Sequence, residues 1–198
     1  LVDAKAMMSQ QPPLTKEEAW HHYQAGRQGV IDSARFLIAF SVVPSVQSGG
    51  SALHTAASHN RPEEIHTFLE DPLIDVDQVQ LGTGSSSSGW TALFNAVSLG
   101  HVEATKALLA HEANPNHAAE NGVTCVHIAA SFGHVKILEM LLDSGADMNV
   151  PHPFAQTTPL HFAAEMGRSD VIKLLCSRGA NVHARKKMGG TALHTASD

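Results

Sequence analysis

Cysteine is scarce, aromatic residues are few, and no long apolar run is present. Each shortage excludes something. The two cysteines, Cys125 and Cys176, stand far apart. They make no disulfide framework, and free thiols fit a reducing compartment, so an intracellular, cytoplasmic protein is expected. The longest apolar stretch is near "FLIAFSVVP", Phe36 to Pro44, well short of the roughly 20 residues a membrane span needs. The chain opens at Leu1 with neither a Met nor a basic-then-apolar leader. No targeting signal is readable, and Leu1 need not be the native start. A formal net charge of -6 gives no whole-chain attraction for nucleic acid or anionic membrane. Neither nucleic-acid binding nor direct membrane insertion is expected.

A lysine is also missing where one would matter. "GSSSSGWT", Gly84 to Thr91, has the spacing of a phosphate-binding loop, but Trp90 occupies the lysine position. That lysine reaches the β- and γ-phosphates, and glycines alone supply only backbone N–H groups. Only the short alternation of Val76, Val79 and Leu81 precedes the stretch. A nucleotide site is therefore not expected, and the segment needs another explanation.

That explanation comes from internal repetition. "GSALHTAASHN" (50–60), "GWTALFNAVSLG" (89–100), "GVTCVHIAASFG" (122–133), "QTTPLHFAAEMG" (156–167) and "GGTALHTAS" (189–197) align. The apolar residue of their shared "TxL" unit falls at Leu53, Leu93, Val126, Leu160 and Leu193, giving gaps of 40, 33, 34 and 33. A second unit follows: "HVEATKALLAHEANPN", "HVKILEMLLDSGADMN" and "RSDVIKLLCSRGANVH".

Each unit reads as two helices. Thr91, Thr124, Thr158 and Thr191 stand at N-cap positions, where the hydroxyl accepts a backbone N–H. Pro159 follows at the first helical position. Alanine pairs (Ala56/Ala57, Ala129/Ala130, Ala163/Ala164) leave a small face that a neighbour can approach. Gly100, Gly133 and Gly167 end the first helix. The second carries the pairs Phe68/Leu69, Leu108/Leu109, Leu141/Leu142 and Leu175/Cys176, and Gly145 and Gly179 supply a positive φ at its end.

Over residues 49–198 this pattern resembles the ankyrin repeat, T-P-L-H-x-A-A…G-H…L-L-x-x-G-A-x-x-N. The resemblance implies an all-α repeat fold: a solenoid of helix-turn-helix units with β-hairpin fingers. Gly89-Trp90-Thr91 then opens a repeat, and "LGTGSSSS" is a Gly/Ser insertion in a finger. The expected organisation is a disordered segment 1–13, a degenerate first repeat or helical cap 14–48, and a repeat with the finger insertion 49–88. That repeat is the first full one; further full repeats follow at 89–121, 122–155 and 156–188, with a partial repeat at 189–198. The break at Ser197-Asp198 falls inside a first helix, so further repeats or another domain are expected beyond it.

Departures from the pattern carry expectations too. Phe94 stands where the family has His. Glu112 and Pro72 replace Gly145 and Gly179, so the outer helices of the first two full repeats are expected to end differently or less stably. Gln156 replaces the finger glycine.

The 14 histidines invite a metal reading, but zinc needs about four converging ligands, and no C-x-x-C or H-x-x-x-H set occurs. The resemblance makes His54, His127, His161 and His194 finger-bracing residues and makes His101 and His134 motif positions. Cys125, near His127, would need a positioned base to act as a nucleophile. No catalytic residue, cofactor or metal is expected; the chain reads as a non-enzyme.

The resemblance places partner contacts on the concave face and finger tips. The two residues before each helix-ending glycine are Ser98/Leu99, Ser131/Phe132 and Glu165/Met166, after Ser58/His59 in the first repeat. Leu99, Phe132 and Met166 share one offset in three consecutive repeats and would align as a stripe. Trp90, His152 and Phe154 flank it, and Arg185 and Lys186 make a basic tip. Exposed, the stripe would be a binding site; tilted inward, it would be core. Ile128 and Phe162, earlier on the same helices, are expected to be core. The function expected is binding of another protein. The alternatives are a regulatory or targeting arm of a larger enzyme or channel, and a structural subunit of a permanent complex.

Overall fold

The computed structural model describes residues 52–80, 89–187 and 189–195. All of them lie in the second of two units, Leu1–Ser48 and Gly49–Asp198. The expectations for 1–13, 14–48 and "LGTGSSSS" fall outside the described residues.

The order is a strict alternation: α1 Ala52–Ser58, α2 Pro62–Leu69, α3 Ala92–Ser98, α4 Val102–Ala110, α5 Cys125–Phe132, α6 Val135–Asp143, α7 Pro159–Glu165, α8 Ser169–Ser177 and α9 Ala192–Thr195. Odd-numbered helices stack on one another as an inner row and even-numbered helices as an outer row. The inner helices bury one repeated face: Leu53, Ala56 and Ala57; Leu93, Ala96 and Val97; Val126, Ala129 and Ala130; Leu160, Ala163 and Ala164. Small alanines let the helices approach closely, while the larger member of each set fills the space between repeats. Of the outer pairs, the first residue is buried in three (Leu108, Leu141, Leu175), while Phe68 is half-buried. Burial of such a leucine stabilises by about 1.5–3 kcal/mol. Its neighbour lies at the margin: Leu109 and Leu142 are half-buried and Cys176 is exposed.

The caps form where the threonines stand. Thr91 Oγ1 accepts the Phe94 N–H at 3.3 Å. Thr124 and Thr158 make reciprocal capping boxes with the histidines three residues on. Glu112, expected to end its helix differently or less stably, adopts a left-handed φ of 61° like its glycine counterparts. Its helix closes as α6 does: Glu112 N–H bonds Leu109 O and Ala113 N–H bonds Leu108 O, matching Gly145 to Leu142 and Ala146 to Leu141. The two hydrogen bonds hold the strained residue in place. Only α2 ends otherwise, through Asp71 N–H to Phe68 O ahead of Pro72, because proline cannot take a positive φ.

The expected β-hairpin fingers are tight turns rather than strands. Among the described residues a single isolated bridge pairs Ala118 with Thr124. Each finger is closed by two short bonds: Ala119 N–H to Val123 O and Gly122 N–H to Ala119 O, then His152 to Thr157 with Gln156 to His152, and Lys186 to Gly190 with Gly189 to Lys186. Two bonds suffice for a turn but leave no ladder to extend. In the finger that carries the insertion, Gln80 N–H bonds Trp90 O and Gly89 N–H bonds Gln80 O. The chain on either side of the insertion is thereby joined at the finger base.

Candidate functional site

Three ladders of polar contacts hold the repeats in register, and they decide which side chains remain free for a partner. The first uses the motif histidines. His127 Nδ1 accepts the Thr124 N–H at 3.2 Å, which leaves Nε2 as the donor, 3.3 Å from Thr157 O of the next repeat. His161 repeats this with Thr158 and Gly190 O at 3.3 Å. His54 Nε2 lies 3.1 Å from Trp90 O. Phe94 has no ring N–H to give; it is fully buried and packs against Trp90, the rings 5.0 Å apart and tilted by 36°. Burial holds His127 neutral, with its pKa lowered to about 4, and it also lowers those of His54 and His161.

The second ladder uses the residue after each inner-helix turn. His101 Nε2 reaches Ser58 O at 3.0 Å, and Arg168 Nε donates to Ser131 O at 2.9 Å. His134, their counterpart, faces the Ser98 backbone but its Nε2 falls short of hydrogen-bond geometry. The third runs along the outer turns: Asp77 Oδ1 accepts Asn114 N–H, Asn116 Oδ1 accepts Asp147 N–H and Asn149 Oδ1 accepts Asn181 N–H, at 2.9, 2.8 and 2.8 Å. These contacts engage His54, His101, His127 and His161. Among the described residues no group of three metal-ligating side chains occurs. Cys125 is fully buried, and desolvation raises its thiol far above the ordinary range, so it offers no thiolate at neutral pH.

The surface left free lies along the inner row. Leu99 is 54% exposed, Phe132 53% and Met166 48%. These side chains therefore do not tilt into the core. Behind them, Ile128 and Phe162 are half-buried rather than core, and Phe162 packs edge-on against the His127 ring at 5.2 Å. Ser98 and Ser131 sit half-buried next to the stripe, Ser98 Oγ donating to Asn95 O at 3.0 Å. Glu165 is exposed beside Met166.

The finger residues divide. Phe154 is 70% exposed, and its ring leans on His152 at 5.8 Å. His152 is half-buried, its ring edge-on to His127 and its Nδ1 enclosed without a partner. Trp90 is packed into its finger base, its carbonyl meeting both Gln80 and His54 while its indole N–H is enclosed without a partner; it reads as a brace more than a contact residue. Arg185 and Lys187 are exposed and Lys186 half-buried. Lys187 N–H bonds Ala155 O at 2.8 Å, so the basic finger is fastened to the finger that bears Phe154. The half-burial of Ile128 and Phe162 escaped sequence reasoning, because an apolar residue three or four positions from the stripe looks the same whether it is half-buried or core.

Family comparison agrees with this geometry. The model described as ankyrin repeats (3 copies) matches residues 68–152, and that of a single ankyrin repeat matches 156–187. The chain belongs to the ankyrin repeat family. The chain is 34% identical over 112 residues to the probable 26S proteasome regulatory subunit p28 of Saccharomyces cerevisiae, covering 56% of this chain and 47% of that protein. It is 45% identical over 117 residues to bovine ankyrin repeat and SOCS box protein 3, covering 57% and 22%. The E3 ubiquitin-protein ligase XBAT32 of Arabidopsis thaliana is 32% identical over 101 residues, covering 51% and 17%. The matched stretch is thus less than half of each relative. Ankyrin repeats are protein-interaction modules, and that is the coarse function of this chain. Among the described residues, no helix is long and apolar enough to cross a membrane.

Proposed function

We propose that the ankyrin repeats of this chain bind a segment of a partner protein along the inner-helix face, with Leu99, Phe132 and Met166 as apolar anchors. Phe154 forms one wall, and Arg185, Lys186 and Lys187 receive acidic groups at one end. One observation carries the reading: three large apolar side chains at the same repeat position stay half exposed, whereas the alanines of the same helices are buried. Monomeric surfaces rarely leave such a set in a row without a use. Packed helices lie about 8–10 Å apart. An extended partner rising about 3.1 Å per residue would present every third residue to successive repeats.

The experiment is selection from a displayed peptide library, with the parent and a Leu99→Ser, Phe132→Ser, Met166→Ser variant shown by circular dichroism to keep its helicity. The parent should enrich peptides with repeated apolar residues and an acidic end, and the folded variant should not. Equal enrichment by both would move the site to the fingers. A second reading, that the chain is a targeting arm of a larger protein, is favoured by the small share of each relative that the match covers. The two readings use the same surface.

A further inference from the structure

The outer row contains a contact that neither the fold nor the partner-binding reading uses. His66 Nδ1 of α2 lies 2.9 Å from His111 Nε2 at the end of α4. The rings are 5.1 Å apart and tilted by 51°. His66 is exposed and His111 half-buried. The residue capping the end of an outer helix also reaches back to the preceding repeat elsewhere: Arg178, the counterpart of His111, meets Asp143 at 2.7 Å. There the tie is an ion pair. Between the first two full repeats it is two imidazoles, which bond only if one donates and the other accepts.

We propose that His66 and His111 form a two-histidine clamp for a divalent transition metal, tying the first two full repeats together on their outer face. The spacing selects the geometry. Imidazole nitrogens bind such ions at about 2.0–2.1 Å. Two nitrogens 2.9 Å apart then subtend about 90° at one ion, with each ring turned by about 45° so that its lone pair meets it. That is the cis angle of a square-planar or octahedral site, which suits Cu(II) or Ni(II) and is tighter than the tetrahedral angle of structural zinc. Because His66 is exposed, its ring is free to turn, and water is at hand to fill the remaining positions. No third protein ligand completes a set of three among the described residues, so the site is a water-completed chelate. Glu63 and Glu70 stand about one turn either side of His66, and Glu112 follows His111. Their charge favours a cation.

The test is titration of the whole chain with Cu(II) in a non-chelating buffer at pH 7.5, followed by electron paramagnetic resonance. The comparison is with His66→Gln and His111→Gln, each checked for helicity. The parent should show one tightest site with two equatorial nitrogens. Either substitution should weaken it by roughly tenfold or more and leave one nitrogen, because the second ligand no longer binds at high effective concentration. Paramagnetic broadening in the parent should reach the His66 and His111 ring protons before those of the other histidines. A parent signal with a single nitrogen, broadening that begins elsewhere, or unchanged affinity in the folded variants overturns the proposal and leaves a plain imidazole hydrogen bond. The broadening is read on the parent alone, so an unfolded variant does not spare the proposal.

Discussion

His127 joins two repeats through opposite edges of one ring: Nδ1 takes the N–H of Thr124 in its own repeat, and Nε2 lies 3.3 Å from the carbonyl of Thr157 in the next. Only the neutral imidazole can do both. A proton on Nδ1 would face the Thr124 N–H it now accepts.

Stability should therefore fall with acid. The unfolded chain protonates this histidine near pH 6.5, whereas the folded chain resists until about pH 4. Stability is full above pH 6.5 and is lost as the pH drops from there toward 4. For His127 alone the loss is on the order of 3 kcal/mol across that interval. Burial lowers His54 and His161 in the same direction. Denaturant unfolding at pH 7.5, 5.5 and 4.5 measures it, and a His127→Gln variant should show a shallower pH dependence than the parent. Parallel curves would mean that the histidine is not the source.

Glu112 invites the opposite change. It holds a φ of 61°, and a residue with a Cβ is strained there by about 1–2 kcal/mol. Glycine relieves that strain but loses about 0.5–1 kcal/mol more chain entropy on folding. The strain outweighs the entropy, so Glu112→Gly should stabilise by about 0.5–1 kcal/mol. An unfolding midpoint equal to or below the parent's would show that the position is unstrained.

Two glycines separate backbone strain from crowding. Gly145 and Gly122 have φ values of 86° and 79°. A Cβ at Gly145 meets nothing within 4 Å, while one at Gly122 would run into the Pro153 ring. Gly145→Ala should cost about 1–2 kcal/mol, and Gly122→Ala clearly more, since overpacking adds about 1–3 kcal/mol. Equal losses would mean that the Pro153 finger swings away freely.

The inner row offers a matched pair. Phe94 is fully buried against Trp90, and Phe94→Ala should cost about 3–5 kcal/mol. Leu99, five residues on and half exposed, should cost under about 1 kcal/mol as Leu99→Ala. Comparable losses would place Leu99 in the core and remove the stripe.

What was legible in the sequence was whatever depends on contacts between near neighbours along the chain. Thr124 and His127 are three apart, so their cap follows from spacing. Gly133 and Gly145 mark helix ends because a left-handed residue closes those turns, and a period near 33 places each unit beside its copy. Repetition thus determined fold, register and the offset shared by Leu99, Phe132 and Met166. What only the tertiary structure decided depends on neighbours far along the chain. Whether those three side chains are covered, and how far Ile128 and Phe162 are buried, depends on how one inner helix packs on the next. His66 and His111 meet across 45 positions only because α2 and α4 stack, and a local pattern cannot register a contact over that distance.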